Sequence, residues 1–281
     1  MRSFAQVDVF TTQPGRGNPV AVVLDAEGLT DAEMQRLANW TNLSETTFVL
    51  PPTRPEADYR VRIFTPGREL PFAGHPTIGT VSGLLDASRL PSRGSWTQEC
   101  GAGLVELRRL DDGAIAFAAP PPIAVEPLEP GETTDLLTAT LGGVKAEAPT
   151  VIEIGPRWLT ARVSLDELDS LRLDPAAFAG ISSVTPDITL YALHDSEVHV
   201  RSFFREGERI DEDPVCGSGN ACVAAHLQLT GLDAALEGPG YRAFQGRHRG
   251  RDGRISVQLG EQHRNWIGGR AVTVISGTIA V

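Results

Sequence analysis

The sequence predicts a mixed α+β protein of two similar domains, each of which places one buried helix among strands. Two observations support this. Short strand-like segments recur along the whole chain, and a similar polar motif leads twice into an apolar helical run. The motifs are His75-Pro-Thr-Ile-Gly-Thr80 and Asp213-Pro-Val-Cys-Gly-Ser-Gly-Asn220. A helix that is apolar almost all round is a buried helix. The repeat spans about half the chain, too long for a solenoid, and therefore indicates duplicated domains.

The elements follow from local patterns in chain order. Alternating or wholly apolar runs predict strands, and Thr30-Asp-Ala-Glu33 is a capping box that opens a helix. Strands are predicted at 4–10, 20–24, 46–50, 59–64, 96–98, 103–108, 114–118, 151–154, 158–163, 189–193, 198–204, 255–259 and 271–280. Helices are predicted at 30–39, directly after 75, at 134–141, at 166–171 and across 221–229.

The composition excludes several classes of protein. A net charge of −11 argues against nucleic acid and against anionic membranes as partners. No apolar run reaches transmembrane length, and the N-terminal residues lack the apolar core of a signal peptide. The three cysteines, Cys100, Cys216 and Cys222, are odd in number and lack metal-ligand spacing. We therefore expect a protein of the reducing cytoplasm.

The polar residues at the two helix starts are the candidate site. Small residues at 217–219 leave backbone N–H groups uncovered at a helix N-terminus, which favours an anion. His75 lies between Gly and Pro and aligns with Asp213 of the second motif. Asp213 and Ser218 could instead simply cap the second helix. Glu45 lies in a short polar turn, where a solvated carboxylate is the simpler interpretation.

Other polar residues have ordinary explanations beside functional ones. Cys216, close to a helix N-terminus, is either a reactive thiol of lowered pKa or a small packing residue. The segment 194–199 contains acidic and histidine side chains that share one face if it is a strand, and a polar strand face is a simpler interpretation than a metal site. The basic cluster 247–254 indicates local salt bridges. No P-loop or dinucleotide-binding glycine motif occurs.

Four separated motifs run through the chain in order: 7–11 with 17–23, 42–48, 70–77 and 212–218. With them the chain resembles the phenazine biosynthesis PhzF-like family. That family shares its fold with diaminopimelate epimerase: two duplicated domains, each an antiparallel β-sheet wrapped around a central α-helix, with the active site between them. Its last strands return to the first domain. The resemblance therefore implies one domain of residues 1–119 with 268–281 and a second of residues 120–267, joined by the proline-rich segment 120–130.

The resemblance implies a cofactor-independent isomerase that transfers a proton within a small carboxylate-bearing metabolite. The catalytic positions it implies are Glu45 as the acid/base, His75, Asp213 and Ser218. The substrate-binding positions expected with them are Asn18, Gly74, Cys216, Gly217 and Gly219. We expect no metal and no cofactor, and the family also implies a homodimer. Burial is expected to bring the pKa of Glu45 near neutral.

One position departs from the family pattern. Many relatives carry Thr where this chain has Cys216, and epimerases of the same fold use two thiols, one at each helix start. Ile78 occupies the position aligned with Cys216, so a two-thiol racemase is not expected. Two alternatives stay open: a single-thiol epimerase or dehydratase that uses Cys216, and a non-catalytic protein that binds a small anion.

Overall fold

The computed structural model describes residues 1–181, 187–206 and 209–281. The helices are α1 Asp31–Thr41, α2 Gly74–Asp86, α3 Glu132–Thr140, α4 Leu165–Ser170, α5 Pro175–Ile181 and α6 Gly217–Thr230. The strands are β1 Arg2–Val9, β2 Asn18–Val23, β3 Thr46–Leu50, β4 Tyr59–Phe64, β5 Glu69–Leu70, β6 Ser95–Cys100, β7 Gly103–Arg109, β8 Ile115–Ala118, β9 Ala124–Pro127, β10 Glu147–Glu153, β11 Arg157–Arg162, β12 Asp187–His194, β13 Glu197–Glu206, β14 Arg209–Asp213, β15 Gly240–Gln245, β16 Gly253–Gln258, β17 Trp266–Gly269 and β18 Ala271–Ile279.

The chain divides into two compact units. The first contains residues 1–118, 251–254 and 268–281, and the second contains residues 119–250 and 255–267. The short segment 251–254 belongs to the first unit because Asp252 N donates to Arg16 O at 2.7 Å and Arg254 N donates to Phe10 O at 2.8 Å.

The first unit is a sheet around the central helix α2. Strand β1 pairs antiparallel with β2 and with the last strand, β18. The parallel pairs are β2–β3 and β4–β6, whereas β3–β4, β6–β7 and β7–β8 are antiparallel. Helix α2 contacts β1, β2, β3, β8 and β18. A Cβ on Gly79 would lie 2.3 Å from Val20 Cγ1, so glycine is what lets this helix lie directly on the strands.

The second unit repeats this order around α6. Strands β9–β10 and β10–β11 are antiparallel, β11–β12 is parallel, β12–β13 is antiparallel and β13–β15 is parallel. Helix α6 contacts β10, β11 and β12, and a Cβ on Gly219 would lie 2.8 Å from Ser202 Oγ. The helix ends at Gly231, whose left-handed backbone (φ 71°) suits glycine. Each unit therefore has two parallel strand pairs, and these pairs occur at matching positions in the strand order of the two units.

The two central helices align differently from the sequence prediction. Helix α2 begins directly after its N-cap Ala73, and α6 begins directly after its N-cap Cys216. Matching these starts pairs Ala73 with Cys216 and His75 with Ser218, so the predicted match of Ile78 with Cys216 is wrong. The shared proline caused the error, because it lies inside the first turn of α2 but ahead of α6.

A hairpin replaces the single strand that was considered over residues 194–199. Asp195 and Ser196 have φ values of 48° and 62° and form a two-residue turn between β12 and β13. Such backbone geometry is what a tight hairpin requires. In the part of the chain that the structure describes, no group of three or more metal-binding side chains occurs. Within the same residues, no helix is long and apolar enough to cross a membrane.

Candidate active site

Glu45 lies at the start of strand β3 in the first unit. It precedes β3 directly and follows α1, whose C-cap Asn42 turns the chain with a left-handed backbone (φ 53°). Its carbonyl oxygen accepts a hydrogen bond from Ala21 N at 3.4 Å, and the next residue, Thr46, pairs with Ala21 in the parallel register. The Glu45 side chain is only 15% exposed, so the simple solvated turn considered from the sequence is wrong.

His75 faces Glu45 from the first turn of α2. Its Nδ1 lies 3.2 Å from Glu45 Oε2, and the ring is 5% exposed. Burial lowers the pKa of His75 to about 4, although the backbone of Pro19 acts in the opposite direction. The imidazole is therefore neutral at physiological pH. Its buried Nε2 has no hydrogen-bond partner among the residues that the structure describes.

The neutral ring gives this pair simple proton chemistry. The imidazole is uncharged, and its Nδ1 lies close enough to the Glu45 carboxyl, at 3.2 Å from Oε2, to influence the position of that carboxyl. A carboxylate in this position becomes a neutral carboxyl when it takes up a proton and regains its charge when it returns the proton. The arrangement thus suits a general acid/base that returns the proton it removes.

Two backbone donors are free next to this pair. Thr77 N donates to Ala73 O at 3.3 Å, and Pro76 has no N–H. Gly74 N and His75 N have no hydrogen-bond partner within the described ranges. First-turn N–H groups lie at the positive end of the helix dipole and favour an anion. The start of α2 therefore combines an acid/base pair with two donors suited to a carboxylate.

Asp213 lies ahead of the central helix of the second unit. It is the last residue of β14 and stands three positions ahead of the α6 N-cap, so its predicted roles as cap and as counterpart of His75 are wrong. Its Oδ1 accepts a hydrogen bond from Val215 N at 3.0 Å, and its carboxyl also contacts the Cys216 thiol. Burial raises the pKa of Asp213 to about 6, while these hydrogen bonds partly offset that effect.

Cys216 is a buried thiol that the surrounding protein keeps protonated. Its Sγ accepts a hydrogen bond from Gly219 N at 3.2 Å and lies 3.4 Å from Ser218 Oγ. Burial, followed by the negative charge of Asp213, raises the pKa of the thiol well above its ordinary value. The lowered pKa considered from the sequence is therefore wrong, because desolvation outweighs the helix dipole.

The start of α6 also leaves two donors free. Trp158 Nε1 donates to Ser218 Oγ at 3.1 Å, and the same hydroxyl also bonds to Cys216 Sγ at 3.4 Å. In the described ranges, Gly217 N and Ser218 N have no hydrogen-bond partner. Gly219 N, in contrast, already donates to Cys216 Sγ, so it is not one of the free donors, and the predicted contact of Gly219 with substrate stays a prediction.

The structure also places the predicted residue Asn18 and two residues that the sequence did not single out. Asn18, predicted to bind substrate, is completely buried on β2 opposite Val9. Trp158 on β11 and Gln245 on β15 both reach the start of α6. No local pattern marks either residue, because each is defined only by a contact with a distant part of the chain.

Comparison with known proteins identifies the family of this chain. The sequence profile of the family described as "Phenazine biosynthesis-like protein" matches residues 7–277. The chain belongs to this family. It is 36% identical over 298 residues to the Schizosaccharomyces pombe protein "Antisense-enhancing sequence 1", covering 98% of this chain and 97% of that protein. It is 35% identical over 230 residues to trans-2,3-dihydro-3-hydroxyanthranilate isomerase of Pseudomonas aeruginosa, covering 81% and 80%.

Solved structures support the same fold. The Bacillus anthracis phenazine biosynthesis protein of the PhzF family matches with a TM-score of 0.83 and 26% identity, over 100% of this chain and 99% of that one. A probable proline racemase of Agrobacterium radiobacter shares the fold at a TM-score of 0.67 and 17% identity, over 100% and 93%. The predicted family and its epimerase-like fold are confirmed, and the named relatives confirm the isomerase class.

Proposed function

We propose that this chain is a cofactor-independent isomerase that transfers a proton within a small carboxylate-bearing metabolite, with Glu45 as the general acid/base. The observation that carries the proposal is the 3.2 Å contact between Glu45 Oε2 and Nδ1 of a buried, neutral His75. Membership of a family with named isomerases supports the reaction class. The relative from Pseudomonas aeruginosa suggests trans-2,3-dihydro-3-hydroxyanthranilate as the first compound to test.

In the proposed reaction, the Glu45 carboxylate removes a proton from a carbon of the substrate. The electron pair of that C–H bond moves into the conjugated system, and the carboxyl then returns the proton to a second position. Nothing is oxidised or reduced, and the enzyme regains its starting protonation state. The neutral His75 orients the carboxyl, while Gly74 N and His75 N hold the substrate carboxylate. Asp213 and Ser218 are assigned supporting roles in the same reaction.

The proposal prefers the carboxylate to the thiol of Cys216. A base must be deprotonated at working pH, and burial with the neighbouring Asp213 charge raises the pKa of this thiol. The N-cap of α2 is Ala73, so the first unit offers no second thiol at the matching position. Both observations weigh against the single-thiol epimerase, and the intact Glu45–His75 pair weighs against a protein that only binds anions.

The test is enzyme-dependent deuterium uptake. Purified protein is incubated in heavy water with trans-2,3-dihydro-3-hydroxyanthranilate and a panel of other small carboxylates, and incorporation is followed by mass spectrometry. Glu45→Gln keeps the shape but cannot take up a proton, so turnover should fall by about 10²–10⁴-fold. Glu106→Gln, at an exposed glutamate of the same unit, is the matched control and should change nothing.

A second variant separates the two candidate bases. Cys216→Thr removes the thiol but keeps an N-cap oxygen for Gly219 N, so it should retain most of the turnover. The proposal fails if Cys216→Thr abolishes exchange while Glu45→Gln retains it. Binding of a carboxylate without any exchange, in wild type as well as in both variants, would instead identify an anion-binding protein.

A further inference from the structure

A glutamine from a distant strand reaches the start of α6. Gln245 is the last residue of β15 and is 4% exposed. Its Oε1 accepts hydrogen bonds from Cys216 N at 3.1 Å and from Asn220 Nδ2 at 2.9 Å. Its Nε2 donates to Asp213 O at 3.0 Å. One buried side chain therefore joins three groups of the Asp213–Asn220 motif.

The three partners determine the orientation of the amide. Two of the partners are N–H donors, and only the oxygen of the glutamine side chain can accept hydrogen bonds from them. The third partner is a carbonyl, which needs an N–H of the glutamine amide as its donor. Turning the amide over would place its NH₂ against two donors and its oxygen against a carbonyl. Such a reversal would lose all three bonds in a buried setting, where each unsatisfied group costs about 1–3 kcal/mol.

These bonds fix the connection between β14 and α6. Asp213 ends the strand and Cys216 caps the helix, with only two residues between them. Asn220 Nδ2 donates to Cys216 O at 2.8 Å as well as to the glutamine, which closes a small network around the helix start. Because Gln245 takes up the Cys216 N–H, the free donors are the N–H groups of the next two residues.

The first unit contains a comparable buried glutamine. Gln98 on β6 is completely buried, accepts from Tyr59 Oη at 2.8 Å and donates to Thr77 Oγ1 at 3.0 Å. Thr77 is the fourth residue of α2, as Asn220 is the fourth residue of α6. Gln98 and Gln245 lie on β6 and β15, the strands that make the corresponding parallel pair in each unit. In each unit, a buried glutamine thus anchors the first turn of the central helix.

We propose that Gln245 is a positioning residue, whose amide holds Asp213 and the free N–H groups of α6 in a single arrangement. The inference rests on the proposed isomerase function, since this arrangement affects turnover only if Asp213 serves that reaction. Gln245 acts through Asp213 and Cys216, to whose backbone groups its amide is bonded.

The decisive variant is Gln245→Glu, because its protonation state switches the network. A protonated carboxyl has one oxygen that accepts from Cys216 N and Asn220 Nδ2 and one O–H that donates to Asp213 O. The ionised form has no donor and turns a negative oxygen toward the Asp213 carbonyl. Turnover of this variant relative to wild type should therefore be highest at low pH and should fall as the introduced carboxyl ionises.

The charges near Gln245 also affect the pKa of the carboxyl that Gln245→Glu introduces. Gln245 bonds directly to the backbones of Asp213 and Cys216, and the charged or titratable groups on the strands packed around it include His199 and Arg201 on β13, Asp211 and Glu212 on β14, and Tyr241 and Arg242 on β15 itself. Two carboxylates nearby and burial both disfavour a further negative charge and raise the pKa of the introduced carboxyl. Recovery at low pH is thus expected within the range in which the protein is folded.

Two further variants complete the comparison. Gln245→Met removes all three bonds and should lower turnover by about 10²-fold at every pH, the size expected for a misplaced catalytic group. Gln13→Glu adds the same charge at an exposed glutamine and should follow wild type throughout. Deuterium uptake is measured for each variant between pH 5 and pH 9, roughly the range over which these carboxyls ionise, with circular dichroism to confirm folding.

A second readout needs no substrate. Carbon-13 NMR follows the Asp213 carboxyl, assigned by its loss in Asp213→Asn. In Gln245→Met, released Asp213 should become better solvated, and its pKa should fall by at least about 1 pH unit from that of wild type. The inference is overturned if this titration is unchanged, or if Gln245→Met keeps full turnover while Glu45→Gln loses it. Full turnover in Glu45→Gln would instead refute the proposed function and leave the NMR test to decide on Gln245.

Discussion

Asp213 should make the protein less stable at neutral pH, and replacing it with Asn should remove that cost. Burial raises the pKa of Asp213 from 3.8 to about 6. A raised carboxyl pKa means that the folded state favours the protonated form, whereas the unfolded chain ionises first. Stability is therefore unaffected below pH 3.8, falls between pH 3.8 and pH 6, and stays lower above that range.

The magnitude follows from the shift itself. One pKa unit corresponds to about 1.4 kcal/mol, so ionisation of Asp213 costs the folded state about 3 kcal/mol above pH 6. Asp213→Asn keeps an oxygen for the Val215 N–H but never ionises. The variant should gain about 3 kcal/mol of unfolding free energy relative to wild type between pH 4 and pH 8. It should at the same time lose turnover, which is the usual trade-off at a functional carboxyl.

The assay is urea unfolding followed by circular dichroism at several pH values. Asp195→Asn is the control: Asp195 has an 88% exposed side chain and a left-handed backbone that Asn adopts equally well. Its unfolding free energy should follow that of wild type at every pH. Parallel curves for wild type and Asp213→Asn would show that Asp213 ionises as easily in the folded protein as in the unfolded chain.

Two further pairs of variants test the packing around the central helices. Tyr191 Oη bonds to Nδ1 of the buried His226 at 2.8 Å, so Tyr191→Phe should lower the unfolding free energy by about 1–3 kcal/mol. Tyr241→Phe should be neutral or stabilising, because that buried hydroxyl has no hydrogen-bond partner in the described residues. Thermal unfolding compares the stability of the two tyrosine variants with that of wild type. On α2, Gly79→Ala places a methyl 2.3 Å from a valine and should cost about 1–3 kcal/mol. Gly83→Ala meets its first neighbour at 3.4 Å and should gain up to about 1 kcal/mol from helix propensity, and the opposite order of melting temperatures would contradict this packing.

The sequence predicted those helices whose start or burial is specified by residues close together in the chain. The capping box at Thr30 is present, with Thr30 N donating to Glu33 Oε2 at 2.8 Å and Glu33 N donating to Thr30 Oγ1 at 3.3 Å. The two runs without a polar face became the central helices α2 and α6, since such a helix has no side to offer to water. Strand β15 was missed, because its alternation is short and follows a segment rich in glycine and proline.

The sequence by itself determined the family, the duplicated fold and the identity of the polar residues at the two helix starts. Only the tertiary structure decided their chemistry. The contact of His75 with Glu45 joins residues that are far apart in the chain, and desolvation sets the neutral state of the ring. The same cause decided between the two interpretations of the Cys216 pKa, because a helix N-terminus alone favours a thiolate but burial beside Asp213 favours the thiol. A pKa depends on everything that excludes water from a group, and which residues do so is defined only once distant segments have packed together.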